Sequence, residues 1–153
     1  MSRSLLVDSA LILALILIGV VGYRLSPLLM PKADVTVTPV TGCDLHQTPC
    51  DVALPAGGRL TLSLTPRPIP MAQPIEVAVR VAGLSPDRVQ IDFAGVDMAM
   101  GFNRPTLKAV GPGQFAGPTT LPVCVTGRMT WQATVLLESG GQRIAAPFLF
   151  VTG

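Results

Sequence analysis

The sequence predicts an all-β fold, an Ig-like antiparallel β-sandwich of about seven to nine strands, preceded by a single N-terminal transmembrane helix. Three observations carry this. Residues 5–23, LLVDSALILALILIGVVGY, hold a single charge, Asp8, and at about 1.5 Å per residue they nearly match a hydrocarbon core of about 30 Å. Beyond them, short runs rich in Val, Ile, Thr and Phe alternate with Gly and Pro at a spacing of about ten residues, the pattern of a sandwich or barrel. Two of these runs alternate strictly: Ile75, Val77, Val79 and Val81 in one, and Trp131, Ala133, Val135 and Leu137 in the other. That period of two belongs to half-buried strands, and helical periodicity is absent from the rest of the chain.

In order along the chain, residues 1–24 read as a membrane anchor. The 153 residues are 49% hydrophobic and only 13% charged, with a mean hydropathy of +0.55, and that excess is concentrated in this segment. A cleaved signal peptide is the rival reading, since Arg3 gives a basic start and Val20/Gly22 a poor small-residue cleavage site. No A-x-A site precedes Arg24, so an uncleaved anchor fits better. Arg3 and the terminal amine flank one end, Arg24 and Lys32 the other, so flanking charge alone does not set the orientation. Residues 25–33 contain Pro27 and Pro31, expected to stop the helix and stiffen a short tether.

One sandwich domain is expected over 34–153, the chain being too short for a second. Its remaining strands are expected at 35–40, 59–65, 88–93, 106–110, 114–123 and 142–151. Ala56-Gly57-Gly58, Gly111-Pro112-Gly113 and Ser139-Gly140-Gly141 supply the positive φ angles of tight connections. Prolines 66, 68 and 70 cannot donate ladder hydrogen bonds, so 65–70 should cross between sheets or follow an exposed edge. The order Cys, Cys, Trp differs from the Cys, Trp, Cys order of true immunoglobulin domains.

Several function classes fit poorly. The net charge is +2, basic residues are scattered singly and aromatics make up 5%, which leaves no nucleic-acid footprint. His46 is the only histidine, against a zinc enzyme or a His-based triad. There is no GxSxG, HExxH or phosphate-cradling glycine loop. Asp92 and Asp97, the nearest carboxylate pair, read as a strand neighbour and a turn residue. An enzyme is not expected.

The informative segment is Gly95-Val96-Asp97-Met98-Ala99-Met100-Gly101, with two methionines two residues apart. In extended backbone they share a face. Met129 and Trp131 form a second such pair, just after Cys124. Thioether sulfur is soft and has no proton to lose, so a methionine cluster suits Cu(I) with little pH dependence, and an aromatic face can add a cation contact. The expected metal set is Met98, Met100 and Met129, with Cys124 as a fourth contact and Trp131 capping. Packing in the core is the plainer reading of the same residues.

Cys43-Asp44-Leu45-His46-Gln47-Thr48-Pro49-Cys50 is a second candidate. Its two thiols and imidazole match in type the ligands of Sco-type copper proteins, though those carry a closer Cys pair and a distant His on another fold. A structural disulfide between Cys43 and Cys50 is the plainer expectation, with Cys124 left as the free thiol. A pairing of Cys124 with either of the other two stays open. A disulfide favours an oxidising compartment, hence a domain in the periplasm.

The run RPTLKAVGPGQFAGPTTLPVCVTGRMTWQATVLLESGGQ, residues 104–142, resembles the FixH and YtkA-like periplasmic domains, where a Gly-aromatic strand precedes a basic or glycine-started Trp strand. An N-terminal anchor before an Ig-like domain is also similar to FixH. The resemblance implies a bacterial inner-membrane protein that supplies copper during assembly of a respiratory oxidase. The cysteines and the Met-x-Met-Gly segment depart from that family. The Met-plus-Trp set is similar in ligand type to CusF-like copper carriers. The alternative expectation is a non-metal accessory subunit that buttresses a membrane complex.

Overall fold

The computed structural model describes residues 3–29, 33–40, 42–98, 101–122 and 127–153. The chain divides into two compact units, Met1–Lys32 and Ala33–Gly153. The first is a helix, α1, over Arg3–Leu29. Leu11, Ile12, Leu13, Leu15, Ile16, Leu17 and Ile18 are all exposed on it. These positions cover more than a full turn, so α1 has no polar face to offer water. Its Val7–Arg24 stretch, with a mean hydropathy of 1.9, is long and apolar enough to cross a membrane, as an anchor or as a signal sequence. The helix runs on past Pro27, which was expected to stop it. A proline forbids its own N–H bond and crowds one carbonyl, so near a helix end the backbone can continue a few residues further.

The second unit is a β-sandwich. Its strands are β1 (Val35–Thr36), β2 (Cys50–Ala53), β3 (Arg59–Thr65), β4 (Pro74–Ala82), β5 (Arg88–Gly95), β6 (Lys108–Gly111), β7 (Gln114–Thr120), β8 (Met129–Ser139) and β9 (Gln142–Thr152). A four-stranded sheet, β1-β9-β8-β5, faces a five-stranded sheet, β2-β3-β4-β7-β6. With β1 and β2 set aside, β3-β4-β7-β6 against β9-β8-β5 is the A-B-E-D against G-F-C order of an Ig sandwich. The alternating runs do what their period requires. Ile75, Val77, Val79 and Val81 of β4 are buried, and so are Trp131, Ala133, Val135 and Leu137 of β8. Leu60, Leu62 and Leu64 of β3 and Val89, Ile91 and Phe93 of β5 complete the interior between the sheets.

The departures from expectation have physical reasons. β2 has only four residues and pairs with β3 at Cys50↔Leu62 through Ala53↔Arg59, too short to show a period. β1 runs parallel to β9, so the sandwich is not wholly antiparallel. The strand expected over 35–40 pairs at Val35 and Thr36 and rejoins only as a bridge between Val40 and Phe148. Pro39 and Pro147 lie in the gap, where neither has an N–H to give. Residues 66–73 neither cross between sheets nor follow an edge. They join β3 to β4, neighbours in one sheet, and Ile69 is buried among them.

The connections gather at two poles. At one, the chain enters beside the β8–β9 turn, where the Asp34 N–H donates to Arg143 O (2.9 Å) and the Arg143 N–H to Asp34 Oδ2 (2.8 Å). β5 starts there, with Arg88 opposite Glu138, and ends at the other pole, with Gly95 opposite Trp131. At about 3.3 Å per residue, the eight residues of β5 separate the poles by roughly 25 Å.

Candidate functional site

The pole away from chain entry holds the described residues singled out for chemistry, and three segments build it: the 43–50 loop, the 66–73 connection and the β5–β6 connection. The first is the loop closed by a Cys43–Cys50 disulfide, with Cα atoms 5.8 Å apart. Asp44 shapes this loop. Its carbonyl accepts from the N–H groups of Gln47 and Thr48 (both 3.0 Å), and its carboxylate from the His46 N–H (2.9 Å) and Gln47 Nε2 (3.0 Å). Leu45 is thereby turned inward and fully buried. Closing a loop between cysteines seven apart contributes about 2–3 kcal/mol through the entropy it removes from the unfolded chain.

His46 fastens this loop to two other segments. Its Nδ1 accepts from the Ile69 N–H (3.1 Å), and its Nε2 meets Val151 O at 2.6 Å. An amide N–H only donates and a carbonyl only accepts, so those partners assign the ring proton to Nε2. The ring also packs edge-on against Phe150, 6.2 Å between centroids.

The third segment connects β5 to β6. Its later part, Asn103 to Leu107, lies along the edge of β5: Phe93 N–H to Asn103 O (3.0 Å), Ile91 N–H to Pro105 O (3.1 Å) and Leu107 N–H to Val89 O (2.9 Å). Asn103 reaches β7 as well, donating from Nδ2 to Thr120 O (3.1 Å) and accepting from the Thr119 hydroxyl (3.2 Å). Arg104 Nη2 pairs with Asp92 Oδ2 at 2.9 Å, and the guanidinium carbon sits 5.0 Å from the centre of the Phe102 ring. Three apolar side chains of this connection are exposed: Val96 (52% exposed), Met98 (44%) and Phe102 (81%).

The expected metal ligands that are described, Met98, Met129 and Trp131, share the pole but not a face of it. Met98 is on the exposed loop. Met100 and Cys124 lie outside the described residues. Met129 and Trp131 point the same way, as their spacing requires, and that way is inward: Met129 is buried and Trp131 fully so. The Trp131 indole N–H donates to Thr152 Oγ1 at 2.9 Å. The ring therefore presents no surface with which to cap a solvent-reachable ion, and both residues act as core. In the second candidate set the two sulfurs are bonded to each other and both imidazole nitrogens are engaged. Among the described residues no group of three or more His, Cys, Asp and Glu side chains could hold a metal ion. Phe102 and the His46 fastening carry no sequence signal of their own. Of this segment the sequence singles out Met98 and Met100, as thioether ligands and not as part of a surface.

No family model matches the chain, and no curated protein matches it. Two solved structures are similar to part of the chain. One is the crystal structure of an engineered protein, 17% identical with a TM-score of 0.48, covering 66% of this chain and 21% of its own. The other is a DUF4785 family protein from Legionella pneumophila, 12% identical with a TM-score of 0.44, covering 63% of this chain and 28% of its own. The chain thus spans between a fifth and a third of the length of either protein.

Proposed function

We propose that this chain is a membrane-anchored interaction module of the periplasm, whose sandwich docks through its loop pole onto another protein of the same membrane. The carrying observation is the set Val96, Met98 and Phe102, exposed together on a loop whose base is fixed to β5 and β7. Isolated exposed apolar residues are ordinary, but three within seven residues of one connection offer apolar surface that water disfavours and a partner can cover. These residues lie at the pole of the sandwich opposite Asp34. The disulfide supports an oxidising compartment, and α1 supports retention at a membrane. A photo-crosslinking residue at position 102 of the full chain, in its native membrane, is expected to give one adduct of defined size. The same residue at position 85, at the opposite pole, is expected to give none. Equal labelling from both positions would reject the docking assignment.

Copper delivery to a respiratory oxidase is the second reading, supported by one observation: the exposure of the Met98 thioether, two residues from Met100. With Met129 and Trp131 buried, this reading rests on Met98 and Met100. Anaerobic Cu(I) titration of the detergent-solubilised chain decides it. About one equivalent bound, and lost in a Met98→Leu, Met100→Leu double variant, supports it, because this swap keeps side-chain volume. Unchanged affinity rejects it.

A further inference from the structure

The outer face of the five-stranded sheet holds a groove of about 340 Å³, lined among others by Ser63, Ala78, Arg80, Val110, Gln114 and Ala116. Cross-strand register builds it: Ser63, Ala78 and Ala116 form one row, and Thr61, Arg80 and Gln114 the next. The two alanines leave the centre of the face low. The volume falls at the small end of the range of about 300–1,000 Å³ usual for ligand clefts.

The groove has more donors than acceptors. Three arginines of the sandwich are paired with carboxylates: Arg59 with Asp51, Arg104 with Asp92 and Arg143 with Glu138. Arg80 has no hydrogen-bond or ion-pair partner among the described residues. Ser63 Oγ accepts from Arg67 Nη2 at 2.7 Å, so its own proton is free for another acceptor. Thr61 is already committed, its hydroxyl donating to Asp51 Oδ1 at 2.5 Å. The groove thus offers a guanidinium, a hydroxyl proton and the Gln114 amide N–H groups, and its side-chain acceptors are the neutral oxygens of Thr61, Ser63 and Gln114. Asp51, in register with Thr61, is the acid at one end of the Thr61 row, where the Thr61 hydroxyl and Arg59 already hold it, and Glu76 lies in the next row along β4 from Ala78. Lys108, in register with Ala116, adds another cation with no partner among the described residues.

We infer that this groove binds an extended acidic peptide segment, with a carboxylate seated on Arg80 and Ser63. A carboxylate answers the donor excess, and a guanidinium can hold it with two parallel hydrogen bonds. The extended form follows from the row Ser63, Ala78 and Ala116, which runs straight across three neighbouring strands toward Lys108, so a segment that fills the groove lies extended along it.

The test is titration of the full chain in micelles with acetylated tri-glutamate amide at low salt, where exposed charge is least screened. Backbone amide NMR signals of Ala78 and Ala116 serve as the readout. Tri-glutamate is expected to move those signals saturably, and tri-glutamine amide to leave them in place. Arg80→Gln is expected to weaken binding at least about fivefold. Arg88→Gln removes an exposed charge elsewhere and is expected to leave binding unchanged. Signals that stay still with tri-glutamate would overturn the site, as would equal binding of both peptides. Equal losses in the two arginine variants would reduce the effect to net charge and overturn it too.

Discussion

Trp131→Ala is expected to destabilise the sandwich by about 3–5 kcal/mol, the range for deleting a large buried aromatic. The ring is fully buried in β8, and its loss leaves a cavity between sheets that neighbouring strands cannot close without breaking register. The deletion also strands the Thr152 hydroxyl, a buried group that now accepts from the indole N–H and would lose its partner. In a domain of this size such a loss lowers the melting midpoint by well over about 10 °C. Met98→Leu, on the exposed loop, is expected to stay within about 0.5 kcal/mol. Thermal and urea melts of the full chain in detergent compare the two. A Trp131→Ala loss below about 1 kcal/mol would mean that the ring lies at the surface, and the capping role would return with it.

Gly113→Ala is the second large effect, at about 3 kcal/mol. Gly113 turns the chain between β6 and β7 at φ 63°, and a Cβ built there would lie 2.4 Å from the Val81 carbonyl oxygen. The Val81 N–H donates to Gly113 O at 2.7 Å, so the turn cannot move away without giving up that bond to β4. Left-handed backbone strain, the clash and a weakened hydrogen bond therefore add. Gly140 separates these terms. Its φ is 56°, but nothing lies within 4 Å of a Cβ placed there. Gly140→Ala is expected to cost only the backbone strain, about 1 kcal/mol. Similar losses in both variants, by chemical denaturation, would show that contact with β4 is not what constrains Gly113.

Both predictions turn on features that the chain alone only half discloses. The alternation around Trp131 is plain in the sequence, and it says that Met129, Trp131 and Ala133 share a face. It does not say which face. The same two-residue spacing that made Met129 and Trp131 plausible ligands also makes them core, and burial between the sheets decides for core. The glycine at 113 is legible as a turn. That it touches β4, which pairs with β7 and not with β6, is not.

What the sequence determined unaided was everything local or periodic. An apolar stretch with one charge makes α1. Period-two runs punctuated by glycine and proline make the longer strands and the two-layer class. Cysteines seven apart can close only a small loop. What the tertiary structure decided was everything that depends on partners distant along the chain: the short β2, the parallel seat of β1 on β9, the fastening of His46 to Ile69 and Val151, and the inward turn of Met129 and Trp131. Periodicity is a property of neighbouring residues, whereas inside and outside exist only once two sheets have closed over one another.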